Sequence, residues 1–248
     1  MDLTLLVSTL GARVSSLDRL VGSIDINCKL IVVVQGVCDK NSKEFLDKLE
    51  ASHDIKIIFT DTQGVTISRN IALSNCETKY ALFCDDDIHY LPGALAKVIS
   101  AFENNQQAAF VTFNAIDEYG QELKKYPKES IKHTRFTVMR VGTIELAVRM
   151  SEVGNTKFPE DMGAGQEMFC CDEPVFLSRL MDSASKKNLY GYHIPQVLCS
   201  HPRLSSGKSL RKKNSLKTRW LCFKRMFPLY VALPVFSLFC IKNIKKIF

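Results

Sequence analysis

Three consecutive carboxylates, Asp85-Asp86-Asp87, follow directly on the apolar run Tyr80–Cys84. Three negative charges at the end of a buried strand repel one another and lose hydration, so something positive must neutralise them. Alternate residues of an extended chain point the same way, which lets Asp85 and Asp87 face one site together. Oxygen ligands of that kind suit Mg²⁺ or Mn²⁺ holding a diphosphate, with waters completing the shell. A solvated acidic turn or a helix N-cap would account for one aspartate; three after an apolar strand favour the metal. A second acidic pair, Asp172-Glu173, precedes Pro174 and an apolar run, which is the make-up of a first helical turn. Arg69 follows a turn at Gly64, and its planar fork matches phosphate oxygens or pairs with a carboxylate. Gln35 ends another apolar run, and its side-chain amide can both donate and accept hydrogen bonds.

The elements that must position these residues alternate. Short apolar runs at Leu3–Thr9, Leu30–Val34, Ile55–Phe59, Tyr80–Cys84 and Ala109–Asn114 read as buried strands, with a further strand at Ile194–Cys199. Between them lie segments of helical period: Ser16–Ile24, Lys43–Leu49, Thr66–Ser74 and Gly93–Phe102. This alternation predicts an α/β fold with a mainly parallel central sheet flanked by helices. Ligands of such sheets bind at the carboxyl edge, where strands end and helices begin. Asp85, Gln35 and Ser8-Thr9 all fall at strand ends.

Taken in order, these segments resemble the inverting nucleotide-sugar glycosyltransferases of the GT-A type, specifically glycosyltransferase family 2. The resemblance covers roughly residues 3 to 203. Ser8-Thr9 matches a short nucleotide-contacting turn, and Gln35 stands at a base-reading position. Gly64-Val-Thr-Ile-Ser-Arg69-Asn70 matches a G-x-x-x-A-R-N segment, with Ser68 in place of the usual alanine. Asp85-Asp86-Asp87 matches the D-x-D metal motif. Phe158–Gln166 resembles the small-residue loop where a sugar packs. Asp172-Glu173 with Phe176 resembles an E-D-x-x-F element, and His201-Pro202 with Ser205-Ser206-Gly207 resembles an H-P-x-x-S-S-G ending.

The resemblance implies a Rossmann-like GT-A fold and transfer of a sugar from a nucleoside diphosphate to an acceptor hydroxyl. Asp85, Asp87 and His201 would hold Mg²⁺ or Mn²⁺. Ser8, Thr9, Gln35, Gly64, Arg69, Asn70 and Asp86 would contact the donor. Aligning Phe176 with the family's aromatic puts Glu173 at the position of the catalytic base, with Asp172 the second candidate. A metal-dependent sugar nucleotidyltransferase or phosphohydrolase could use the same Asp cluster, but would leave Glu173 and the C-terminal segment unused. Two other motifs fail: Gly163-Ala-Gly165 lacks a third glycine and a preceding strand, and Ser206–Ser209 lacks the first glycine of a phosphate-binding loop.

The remaining features bound the setting. The chain has 248 residues, 46% of them hydrophobic, which is enough to bury a core and excludes disorder, collagen and coiled coil. Nine cysteines without CxxC spacing read as reduced cytosolic thiols, and Met1-Asp2-Leu3-Thr4 does not read as a secretory leader. The net charge of +7 hides an asymmetry: no acidic residue follows Asp182, while 14 of the 33 Lys/Arg do. The division expected is a catalytic domain over 1–203 and a basic, apolar segment over 204–248. There, Lys208, Arg211, Lys212, Lys213, Lys217, Arg219, Lys224 and Arg225 precede the charge-free stretch Phe227–Ile241. Fifteen residues of helix reach about 22 Å, short of the roughly 30 Å hydrocarbon core, so the segment reads as lying at an anionic leaflet and not as crossing it. The aromatics cluster in the apolar block and do not interleave with the charges, which argues against nucleic acid. A lipid-linked or growing surface glycan is the acceptor that the family resemblance implies, and in this setting it would be met at the cytoplasmic side of a bacterial inner membrane.

Overall fold

A computed structural model describes residues 2–202 and 214–247. Among the described residues nine strands form one sheet: β1 (Leu3–Leu10), β2 (Lys29–Gln35), β3 (Ile55–Thr60), β4 (Tyr80–Asp85), β5 (His89–Tyr90), β6 (Ala108–Ile116), β7 (Ile131–Lys132), β8 (Leu146–Arg149) and β9 (Tyr190–Ser200). The order is β3-β2-β1-β4-β8-β6-β9-β5, with β7 on β9. The four strands from β3 to β4 are mutually parallel, β8 runs antiparallel to both its neighbours, and β6 is parallel to β9. The α/β architecture with a mainly parallel sheet is the one the alternation predicts.

The described residues also form eight α-helices: α1 (Leu17–Val21), α2 (Lys40–Ser52), α3 (Val65–Ser74), α4 (Ala94–Asn104), α5 (Met150–Val153), α6 (Asp172–Ser185), α7 (Ser215–Met226) and α8 (Leu229–Ile247). Successive side chains of a strand take opposite faces, and here both faces are covered, so the central strands are apolar throughout. Leu3, Leu5 and Val7 of β1 pack with Leu17 and Leu20 of α1, Leu46 of α2 and Val98 and Phe102 of α4. Leu6 of β1 and Ile31 and Val33 of β2 turn the other way, toward Ala72 of α3 and Phe176 and Leu180 of α6.

Two regions depart from the sequence reading. β8 has four residues, too few for periodicity to reveal, yet it separates β4 from β6 and brings the 3₁₀ turn Thr143–Glu145 to the edge where β4 ends. The C-terminal segment forms a helical hairpin broken at Pro228. Cys222, Phe223 and Met226 of α7 and Ala232 of α8 belong to the same buried cluster as α6. Arg225 forms a two-pronged ion pair with Asp161, at 2.7 Å on each prong, and Lys217 lies 3.2 Å from Glu167. Two cations of the expected tail, Lys217 and Arg225, therefore fasten α7 to the domain. Ser205-Ser206-Gly207, Lys208 and Arg211–Lys213 lie outside the described residues. Among the described residues no helix is long and apolar enough to cross a membrane.

Candidate active site

The carboxyl ends of β1, β2 and β4 meet because Ser8 is in register with both Val33 and Asp85, and Leu10 with Gln35. The three aspartates then divide. Asp86 turns inward: it is buried, its Oδ2 accepts from the Thr9 hydroxyl at 2.5 Å, and its Oδ1 accepts from Arg13 at 2.7 Å. Arg13 also donates to Oδ2 of Asp87 at 2.9 Å. Asp85 and Asp87 keep partly exposed side chains on the open side.

His201 reaches them through the sheet. β5 pairs antiparallel with the end of β9, His89 opposite Ser200, which carries the next residue of the chain back beside Asp87. The His201 amide donates to the Ile116 carbonyl at 3.0 Å, and Nδ1 lies 2.6 Å from the Pro202 carbonyl, an acceptor that places the ring proton on Nδ1. Nε2 is then 3.3 Å from Oδ1 of Asp87 and 3.9 Å from Oδ2 of Asp85. One ligand atom from each of the three residues lies within 4.8 Å of the others, so the trio can hold one cation. The fit has chemical support: Oδ1 of Asp87 is buried without a hydrogen bond among the described residues, and a histidine whose Nδ1–H is engaged offers its Nε2 lone pair outward. The His201 contact holds the Asp87 carboxyl below its ordinary range, and Asp87 in turn raises His201.

Across the edge stands a second acidic pair, at the start of α6. Asp172 is buried, and its Oδ2 accepts from Nη1 of Arg69 at 2.6 Å. Burial first, and then the charge of Glu173, push the Asp172 carboxyl up; Arg69 pulls it back. Glu173 is more open, at 18% side-chain exposure, and its Oε1 accepts from the Thr143 hydroxyl at 2.5 Å. Arg69 links the two halves of the site: its guanidinium is 3.7 Å from Oε1 of Glu173 and 3.8 Å from Oδ1 of Asp85, and it lies over the Phe158 ring.

The loop before α6 is clamped onto α3. Gly64 has φ of +114°, and a Cβ there would lie 2.2 Å from Nε2 of Gln166. Gly163, at φ +98°, passes so near that a Cβ would sit 2.9 Å from Thr66 and 3.1 Å from the Asp172 carboxyl carbon. Only glycine combines that conformation with that approach.

The expected site residues thus fall into two groups. Asp85, Asp87 and His201 converge, as do Arg69, Asp172 and Glu173, while Ser8 sits beside Asp85 with its hydroxyl lacking a hydrogen-bond partner among the described residues. The others hold the frame. Gln35 is buried, with its amide nitrogen donating to the Thr62 and Gly64 carbonyls at 3.1 Å. Asn70 exchanges bonds with the backbone of Phe158 and reaches Glu160. Thr9 and Asp86 bind each other. Sequence reasoning missed Arg13 and Thr143. Arg13 sits in a 3₁₀ turn and Thr143 in the turn before an unrecognised strand, and neither has a spacing that signals its partner.

Comparison with known proteins adds the chemistry. The family described as Glycosyl transferase family 2 matches residues 8–157, more than half of the chain. The chain belongs to glycosyltransferase family 2. Family membership does not support the nucleotidyltransferase or phosphohydrolase alternative. Asp172, Glu173 and His201 lie beyond the matched residues. No curated protein sequence matches the chain. Among solved structures, Staphylococcus aureus TarS 1-349 superposes with a TM-score of 0.66 at 14% identity, covering 91% of this chain and 65% of that one. The same protein in complex with UDP-GlcNAc gives 0.66 at 14%, covering 91% and 66%. The mannosyltransferase PcManGT from Pyrobaculum calidifontis, in complex with GDP-Man and Mn²⁺, gives 0.56 at 14%, covering 90% and 61%. At such identity these likenesses show the shared GT-A fold, and this chain spans about 65% of the length of TarS 1-349.

Proposed function

We propose that this glycosyltransferase takes its sugar from a nucleotide-diphosphate donor and transfers it with inversion to an acceptor hydroxyl on a lipid-linked or growing surface glycan. The observation that carries the reading is the Arg69 bridge, in which one guanidinium lies between a candidate cation site and a carboxylate pair. UDP-GlcNAc and GDP-Man in the two neighbours support a nucleotide-sugar donor, and Mn²⁺ in one of them supports a divalent ion.

In this reading Asp85, Asp87 and His201 hold Mg²⁺ or Mn²⁺, which when bound offsets the charge of the departing diphosphate. Ser8 and Gly64 line the donor side, while Thr9, Gln35, Asn70 and Asp86 act on the donor indirectly, by holding the strand ends and loop that receive it. Glu173 takes the proton of the acceptor hydroxyl. The acceptor oxygen forms its bond to the anomeric carbon as the bond to the β-phosphate oxygen breaks, in a single in-line displacement. Asp172, buried and bound to Arg69, is the less suitable base, because its carboxylate is committed to the guanidinium. The C-terminal hairpin holds the enzyme at an anionic membrane surface on the cytoplasmic side, where a lipid-linked acceptor would be met.

A panel of UDP- and GDP-sugars, assayed for nucleotide release with Mn²⁺ or Mg²⁺ and with excess chelator, tests the reading. One donor should be turned over only with metal, and Glu173→Gln should lower that rate by about 10²–10⁴-fold while leaving donor binding nearly intact. Turnover undiminished in chelator, or by Glu173→Gln, defeats the assignment concerned.

A further inference from the structure

The Thr143–Glu173 contact joins two parts of the fold that sequence separates by 30 residues, and the turn that makes it is anchored from behind. Thr143 opens the 3₁₀ turn Thr143–Glu145. Glu145, its last residue, is buried and accepts from the Tyr126 hydroxyl at 2.7 Å, from Lys124 Nζ at 2.7 Å and from the Gly142 amide at 3.2 Å. Lys124 also reaches the Arg140 carbonyl, tying the incoming chain to the same carboxylate. A buried polar cluster with all its members bonded fixes backbone position tightly, whereas a half-satisfied one would be costly. Thr143 itself is buried, and its hydroxyl donates to a carboxylate, a charge-assisted bond stronger than a neutral one.

We propose that Thr143 is a positioning residue for transfer: anchored through Glu145, its hydroxyl holds Oε1 of Glu173 so that Oε2 is the oxygen that takes the acceptor's proton. The inference rests on Glu173 being the base. Without the bond the glutamate gains rotamers, and the fraction of molecules with the carboxylate at the acceptor falls. Placement errors of about 1 Å cost reactions of this kind on the order of 10²-fold. Of the other groups facing Glu173, Arg69 stands 3.7 Å away and is committed to Asp172, and the adjoining Asp172 carboxyl can bond Glu173 only when one of the two is protonated.

The test uses the full chain, Mn²⁺ and the donor that the nucleotide-sugar panel selects, with nucleotide release as the rate and titration of the free nucleoside diphosphate as the binding measurement. Thr143→Val keeps shape and removes the hydroxyl; it should lower kcat about 10–100-fold with donor KM and nucleotide binding unchanged. Thr143→Ser, which restores the hydroxyl, should recover most of the rate. In a Glu173→Gln background Thr143→Val should cost almost nothing further, because the two substitutions remove one function. A donor panel without turnover, or an active Glu173→Gln, overturns the reading of the site and this inference with it. An inactive Glu173→Gln beside a fully active Thr143→Val overturns the inference alone, as does an additive double variant.

Discussion

At the scale of single residues, the site depends on which oxygen of each carboxylate is already taken. Asp87 gives Oδ2 to Arg13 and turns Oδ1 toward His201; Asp86 gives both oxygens to Thr9 and Arg13. This division separates a candidate ligand from a strut, and it gives a first prediction. Asp87→Asn or His201→Ala should weaken Mn²⁺ binding, followed by its paramagnetic resonance signal, by at least about 10-fold. Asp86→Asn should act mainly through stability, since it unbinds a buried pair. Equal Mn²⁺ affinity in wild type and Asp87→Asn would remove Asp87 from the ligand set. The residue types at the site were readable in the sequence because chemistry restricts them: three aspartates after an apolar strand have few uses. What each oxygen does was not readable, since it depends on Arg13 and Thr143, which come from distant turns.

At the scale of elements, the long parallel strands were legible because burial on both faces leaves them uniformly apolar. β5, β7 and β8 were not, since two to four residues carry no period. The short strand β7 has a consequence for stability. His133, just after it, lies buried against Phe110; its Nε2 is 2.7 Å from the Thr112 hydroxyl on β6, which also contacts His193 Nδ1 on β9 at 3.1 Å. Burial first, then His193 and Lys124, push the His133 pKa down to about 3. The folded state therefore stays unprotonated while the unfolded chain takes up a proton near pH 6.5. His133 thus contributes stability that is present above about pH 6.5 and lost as pH falls from there toward about 3. Between pH 7 and pH 5 the loss from this residue is about 2 kcal/mol. Asp172, whose carboxyl is raised, works in the opposite sense, so whole-protein acid lability does not isolate the histidine. The comparison that does is His133→Gln: its urea-unfolding free energy should fall about 2 kcal/mol less from pH 7 to pH 5 than that of the wild type. An identical fall in both proteins would show that His133 is not the group responsible.

At the scale of the whole molecule, the C-terminal hairpin packs on the sheet domain and leaves apolar side chains open to its surroundings. α8 is apolar on two sides. Val231, Val235, Phe236 and Phe239 pack inward with Trp220 and Leu221 of α7, while Leu229, Tyr230, Leu233, Leu238 and Ile241 are exposed. Pro234 lacks the N–H that would bond the Tyr230 carbonyl, one turn back on the same helix. A helix half-bound to the domain and half apolar to solvent, with Lys224 and Lys242 exposed near its two ends, suits the headgroup region of an anionic bilayer. Such a helix would lie along the surface with the domain above it. Because α7 contributes Phe223 and Met226 to the core, cutting the chain ahead of α7 would damage the fold as well as the attachment, so point substitutions are the cleaner probe. Leu233→Gln together with Ile241→Gln should leave the unfolding midpoint within a degree or two, since both side chains are exposed. Each leucine-sized chain that enters the interface contributes on the order of 1 kcal/mol or more, so the pair should weaken sedimentation with phosphatidylglycerol-containing liposomes by at least about 10-fold. Raising salt should weaken binding further, because the lysine contribution is screened over a Debye length of about 10 Å. If the wild type ignores these liposomes, or the double substitution binds them as well as the wild type does, the exposed side of α8 is not a membrane surface.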